Sequence, residues 1–274
     1  MVFILKLLNI QFLSYIQASI FILVVYLFQV QLFNLMFILI LGLLLFVPLL
    51  SEDNRLFTWT TIAFLIGQFF YLYGDRLILN LHLTREWEII GSRMLILFPI
   101  LLIVLLCIKF KRKVTKYPLT TKWNQALTLP FHFKEGSEIS IKRFLVLVNL
   151  ITIIIFVPII IQNSHSLSYY GIAIIILFSM INSLFEEYLW RGLLLSRFSS
   201  IIGEKSAVLF TSIGFGLMHL SFGYSINACL LFLIEGLFLA LLTVKSRGLV
   251  PAITWHFLFN VCMILSERIP LWIS

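Results

Sequence analysis

At 274 residues, 61% hydrophobic and only 12% charged, with a mean hydropathy of +1.07, the chain lacks the polar surface a water-soluble fold needs to cover itself. That balance excludes a soluble globular domain and places the chain in lipid. The net charge of +8 does not call for nucleic acid, because the basic residues gather in one inter-helix segment, Lys109 to Arg143, where membrane orientation accounts for them.

Apolar runs able to cross a hydrocarbon core of about 30 Å predict helices over 8–28, 33–50, 56–73, 93–110, 143–161, 168–190, 205–222, 226–244 and 249–266. The expected fold class is an all-α polytopic transmembrane bundle of eight or nine helices. Residues 1–140 are expected to form N-terminal helices and a basic linker, of open role, and 141–274 a C-terminal transmembrane core. The first apolar stretch, Val2 into Leu50, is too long for a signal peptide and lacks a small-residue cleavage pattern, so it is expected to be retained. Around 74–92, Asp75, Arg76, Arg85, Glu86 and Glu88, with Arg93, read as outward-facing or as an interfacial helix.

The linker 109–142 holds Lys109, Lys111, Arg112, Lys113, Lys116, Lys122 and Lys134 with Pro118 and Pro130, and is expected to be cytoplasmic. Counting spans from it puts the N-terminus and the Arg197–Lys205 and Lys245–Arg247 connections on the same side, and 162–168 and 221–225 outside. His82, His132 and His165 fall in connections. Cys107, Cys229 and Cys262 lie in apolar runs without metal or disulfide spacing and read as packing residues.

Ionisable side chains at membrane depth cost at least about 2.5 kcal/mol each on insertion scales, so a cluster of them points to function. The span ending near residue 190 reads Ser183-Leu-Phe-Glu186-Glu187-Tyr-Leu-Trp-Arg191-Gly192. On an α-helix Glu187 and Arg191 share a face at i,i+4, in the favourable order for an ion pair, and Glu186 points about 100° away. The next span holds Phe215-Gly-Leu-Met-His219, where Gly214 and Gly216 allow a neighbouring helix to approach. The last holds His256-Phe-Leu-Phe-Asn260, again i,i+4, so both polar ends converge from one face. Glu186 with His219 can hold and deprotonate a water, and His256 with Asn260 can stabilise the resulting oxyanion. No covalent nucleophile is required. Glu187 and Arg191 read as supporting residues. Glu235 is either a partner for a histidine or a carboxyl in a packed interface.

Zinc is the competing chemistry, since Glu186, His219 and His256 are all possible ligands. There is, however, no His-Glu-x-x-His helix, and neither a metal nor a cofactor is expected. These boundaries also leave Glu186 and His219 at different depths at a rise of about 1.5 Å per residue. Levelling them requires a later helix start, a strong tilt or a re-entrant bend around Gly192 to Gly203.

The motifs Glu186-Glu187…Arg191, Phe215…His219 and His256…Asn260, with Arg247-Gly248-Leu-Val-Pro251-Ala252 leading into the last, resemble the CAAX protease and bacteriocin-processing family, also called the Abi family of intramembrane glutamic endopeptidases. The resemblance covers about residues 175–265 and departs from the family at Glu235. It implies an endopeptidase in which Glu186 and His219 activate water and His256 and Asn260 form the oxyanion hole. The implied setting is a bacterial cell membrane and a peptide or protein substrate within or beside it: a prenylated C-terminus, a pheromone or bacteriocin precursor, or a membrane anchor. A non-proteolytic immunity or scaffold protein of the same fold is the alternative reading, and a proton relay a third. Oligomeric state is left open.

Overall fold

Lipid offers no water to satisfy a backbone amide, so a chain of this composition must be helical where it crosses. The computed structural model describes residues 10–128, 138–162 and 168–268; Pro130, His132, Lys134 and His165 lie outside them. The described residues form helices α1 (Ile10–Gln29), α2 (Phe33–Phe46), α3 (Glu52–Leu79), α4 (Arg85–Met94), α5 (Leu97–Lys109), α6 (Ile141–Gln162), α7 (Tyr169–Glu187), α8 (Leu195–Leu217), α9 (Ile226–Ser246) and α10 (Val250–Leu265). One short antiparallel pair, β1 (Ala126–Thr128) and β2 (Glu138–Ser140), lies in the linker. Six helical stretches are long and apolar enough to cross a membrane, and two shorter apolar ones, Phe33–Leu49 and Val250–Leu265, accompany them. The chain is an all-α, multi-pass membrane protein.

Two expected boundaries move. The stretch 191–204, expected as a connection, is helical: α7 passes through a π-helical turn at Tyr188–Leu194 into α8, and the break comes at Gly203. Hydropathy discounts this stretch because of its polar residues, but Arg191, Ser196 and Arg197 are buried with partners. At Gly203 φ is +77°, a conformation that costs glycine little and other residues much. Around 74–92, α3 runs on to Leu79, His82 sits in a turn at φ +51°, and α4 packs against α7.

The segments divide into two compact units, one drawn from Met1–Gln68, Pro99–Lys116 and Leu189–Leu241, the other from Phe69–Phe98, Tyr117–Tyr188 and Leu242–Ser274. In the first, α1 packs along α8, and Phe21 meets Phe57, Phe64 and Phe198 in a buried aromatic cluster. Helices in lipid gain little from apolar burial, so polar contacts and small residues do much of the joining. Gln17 donates to Thr58 Oγ1 at 2.8 Å, and Asn54 donates to Gln17 and to Ser14 Oγ. Gly67 lies so close to Pro99 that a Cβ there would strike its backbone. The linker is tied down by Arg112 to Glu52 at 2.8 Å, Arg197 to the Lys113 carbonyl at 2.7 Å and Lys116 to Glu204 at 2.8 Å.

In the second unit, α7 packs on α10 and α4, and α10 on α6. Ile90, Ile174, Ile175, Phe178 and Ile264 form the core between α4, α7 and α10. Trp255 donates Nε1–H to Thr152 Oγ1 at 3.1 Å and stacks on Phe259. The outer face of α6 stays bare, with Ile154 and Ile161 exposed, as a lipid-facing surface should be. Pro118 accepts from Leu249 N at 3.0 Å, and Gly248 sits where any Cβ would meet the Thr120 carbonyl, so the linker lies against the turn entering α10.

Gly67→Val should cost about 1–3 kcal/mol through overpacking against Pro99, read as a lower melting temperature in detergent. Gly42→Ala, which faces open space, should leave the melting temperature unchanged.

Candidate active site

The two carboxylates stand at the end of the α-helical part of α7, and the chain widens into π geometry at the next residue. A π turn spaces its backbone bonds i to i+5, and single π turns often mark functional positions. The α-helical i,i+4 spacing assumed for Glu187 and Arg191 therefore does not describe the backbone between them. Within the second unit the partner of Glu187 is His256: Nδ1–H donates to Glu187 Oε1 at 2.8 Å. Both side chains are sealed, with relative exposures of 4% for His256 and 0% for Glu187.

Glu186 faces the same ring from the other side. Its Oε2 is 3.8 Å from His256 Nε2 and its Oε1 is 3.6 Å from Arg93 Nη1, and its side chain keeps 12% exposure. The two nitrogens of one imidazole are thus divided between adjacent carboxylates, one sealed and hydrogen-bonded, the other looser and reachable. Four residues after His256 on α10 comes Asn260, 4% exposed, whose Nδ2 has no hydrogen-bond partner among the described residues. Its amide hydrogens remain available to an oxygen brought into the site.

His219 and Arg191 belong to the first unit. His219 lies half-buried in the turn Met218–Phe222, donates Nδ1–H to the Phe215 carbonyl at 2.8 Å and stacks on Phe232 with centroids 3.8 Å apart. That bond leaves Nε2 as the ring's acceptor. Gly216 admits α9 at close range, since a Cβ there would fall 2.7 Å from the Cys229 carbonyl. Arg191 is sealed, with its guanidinium 4.2 Å from the centre of the Phe215 ring and a long bond of 3.5 Å to the Gly236 carbonyl. Glu235 is half-buried on α9. Cys107, Cys229 and Cys262 are buried thiols.

The second unit therefore brings together Glu186, Glu187, His256 and Asn260, while the first holds His219 and Arg191. Among the described residues no group of three His, Cys, Asp or Glu side chains has an arrangement suited to a metal ion. Neither the contact of Arg93 with Glu186 nor the bond between His256 and Glu187 is legible in the sequence, where Arg93 reads as outward-facing. A lone arginine at the head of the apolar run 94–109 was the available signal for Arg93, but no spacing rule connects it to Glu186.

Comparison with curated proteins and with solved structures finds no match. Comparison with family profiles finds one, over residues 166–262, to the family described as Type II CAAX prenyl endopeptidase Rce1-like. The matched residues include both carboxylates of α7, His219, His256 and Asn260. Over that segment the chain is similar to the Rce1-like family of type II CAAX prenyl endopeptidases.

Proposed function

We propose that the chain is an intramembrane glutamic endopeptidase that hydrolyses a peptide bond in a lipidated or membrane-associated substrate. The observation that carries this reading is the division of His256 between Glu187 and Glu186. A purely structural ion pair needs one carboxylate; here a second, more exposed one is left beside the same ring. Glu186 takes a proton from water, the resulting hydroxide attacks the peptide carbonyl, and the negative charge moves onto the carbonyl oxygen. Asn260 Nδ2 and His256 Nε2 donate to that oxygen. For Nε2 to donate while Nδ1–H is held by Glu187, the ring must carry both protons, and the two carboxylates offset its charge. Collapse of the tetrahedral intermediate breaks the C–N bond, and the proton held by Glu186 passes to the leaving amine.

His219 is assigned to the water with Glu186. Its Nδ1–H bond to Phe215 fixes the ring with Nε2 as acceptor. Arg191 braces this machinery through Phe215, the residue one turn before His219. Residues 141–274 form the catalytic core in this reading, and the N-terminal segments select or admit substrate. The basic linker, joined to Arg197 and Glu204 in the first unit and to the α9–α10 turn in the second, marks the cytoplasmic side, with the N-terminus there as well. A bacterial cell membrane suits the bacteriocin-processing side of the family.

The test is release of a C-terminal fragment from a fluorescence-quenched peptide ending in a farnesylated CAAX sequence, with the purified chain in proteoliposomes. Glu186→Gln should lower kcat/KM by roughly 10³-fold, with the melting temperature within a degree or two of wild type. Asn260→Ala should lower kcat by about 10²-fold, the usual loss for one oxyanion donor. Glu187→Ala should do more than silence the enzyme. It strips a buried partner from His256, at a cost of about 3–5 kcal/mol, so its melting temperature should fall well below that of Glu186→Gln. A Glu186→Gln protein that cleaves at the wild-type rate would leave the non-proteolytic reading standing.

A further inference from the structure

Arg93 stands last but one in α4, outside the matched segment 166–262, and its guanidinium contacts the carboxylate to which the peptidase reading gives the proton. Its place is fixed by packing. Ile90, one turn earlier on the same face, is buried in the core with Ile174, Ile175 and Phe178 of α7 and Ile264 of α10. The Arg93 guanidinium lies 5.8 Å from the centre of the Phe178 ring. A cation in the last turn also suits the negative end of the α4 dipole.

We propose that Arg93 is the positioning residue of the hydrolytic site: it holds Glu186 by one oxygen, so that the other is presented to His256 and to the attacking water. The geometry carries this directly. Arg93 Nη1 faces Oε1 at 3.6 Å and His256 Nε2 faces Oε2 at 3.8 Å, so the two oxygens have different neighbours. Side-chain exposures of 19% for Arg93 and 12% for Glu186 put the pair where water screens it weakly. At 3.6 Å the contact is a Coulombic tether and not a short hydrogen bond, so it fixes the direction of Glu186 and still lets the carboxylate accept and return a proton. Arg93, Glu186, Glu187 and a doubly protonated His256 together sum to zero charge, which suits a cluster at membrane depth.

The inference rests on the peptidase reading and extends it to a residue of the N-terminal half. The test uses the same quenched farnesylated peptide with wild type, Arg93→Ala, Arg93→Lys, Glu186→Gln and the Arg93→Ala, Glu186→Gln double variant, each with a melting temperature. Arg93→Ala should lower kcat roughly 100-fold, with KM changed less than about threefold. Arg93→Lys, which keeps the charge, should recover at least about a tenth of the wild-type kcat. In the Glu186→Gln background, Arg93→Ala should cost nothing further, because two residues acting as one unit are not additive. If Arg93→Ala does not fold, Arg93→Gln takes its place in each comparison. Wild-type kcat in Arg93→Ala overturns the inference. So does a loss confined to KM, which would mean a substrate contact, a Lys variant as impaired as Ala, or an undiminished loss in the Glu186→Gln background. A wild-type chain that releases no peptide, or a fully active Glu186→Gln, removes the peptidase reading itself and the inference with it, and is recognised because no Glu186-dependent cleavage remains.

Discussion

A hydrogen bond between two sealed, ionisable side chains, Glu187 and His256, organises the site of the second unit. Neither group can be carried to that position alone without a heavy desolvation cost, and each offsets the cost of the other only while α7 and α10 stay packed. The packing supplies this: α7 lies along α10, and Ile174, Ile175, Phe178 and Ile264 close the apolar space between them and α4. With Glu187 bonded to the ring at 2.8 Å, Glu186 is the more exposed of the two carboxylates. Adjacent residues on a helix point about 100° apart, so an adjacent pair of carboxylates can give one inward contact and one contact at the rim.

The same economy of polar groups runs through the first unit. In lipid an apolar interface gains little from association, so helices are joined where polar side chains find partners and where glycine lets backbones meet. The Gln17, Asn54 and Thr58 contacts between α1 and α3, and the close approach of Gly67 to Pro99 and of Gly216 to Cys229, are such joints. Arg191 follows the rule at its most demanding, with a whole guanidinium buried against the Phe215 ring and the Gly236 carbonyl. Phe215 also accepts the bond from His219, so a single residue connects the buried arginine to the histidine.

The polar stretch from Tyr188 to Gly203 shows why hydropathy misplaces helices near a membrane-embedded site. Its arginines and serines lower the apolar average, yet several find partners inside protein: Ser196 donates to the Gly192 carbonyl and Arg197 Nη2 to the Lys113 carbonyl. A scale calibrated on side chains facing lipid or water has no entry for a third environment. For the same reason the charges of α4 give no sign that Ile90 and Arg93 face α7.

What the sequence by itself determined was the class of the fold and a set of candidate site residues. Composition required a helical membrane protein, and the rarity of charge at depth singled out Glu186, Glu187, His219, His256 and Asn260, because only function or close pairing keeps such residues there. The i,i+4 spacing of His256 and Asn260 was legible because both lie on one regular helix. Tertiary structure decided the pairing across helices. Glu187 accepts from His256 at 2.8 Å, a partner on α10 that no spacing along its own chain encodes. Arg93 reaches Glu186 across more than ninety residues of sequence, a contact that no local periodicity encodes because it arises only when α4 and α7 pack.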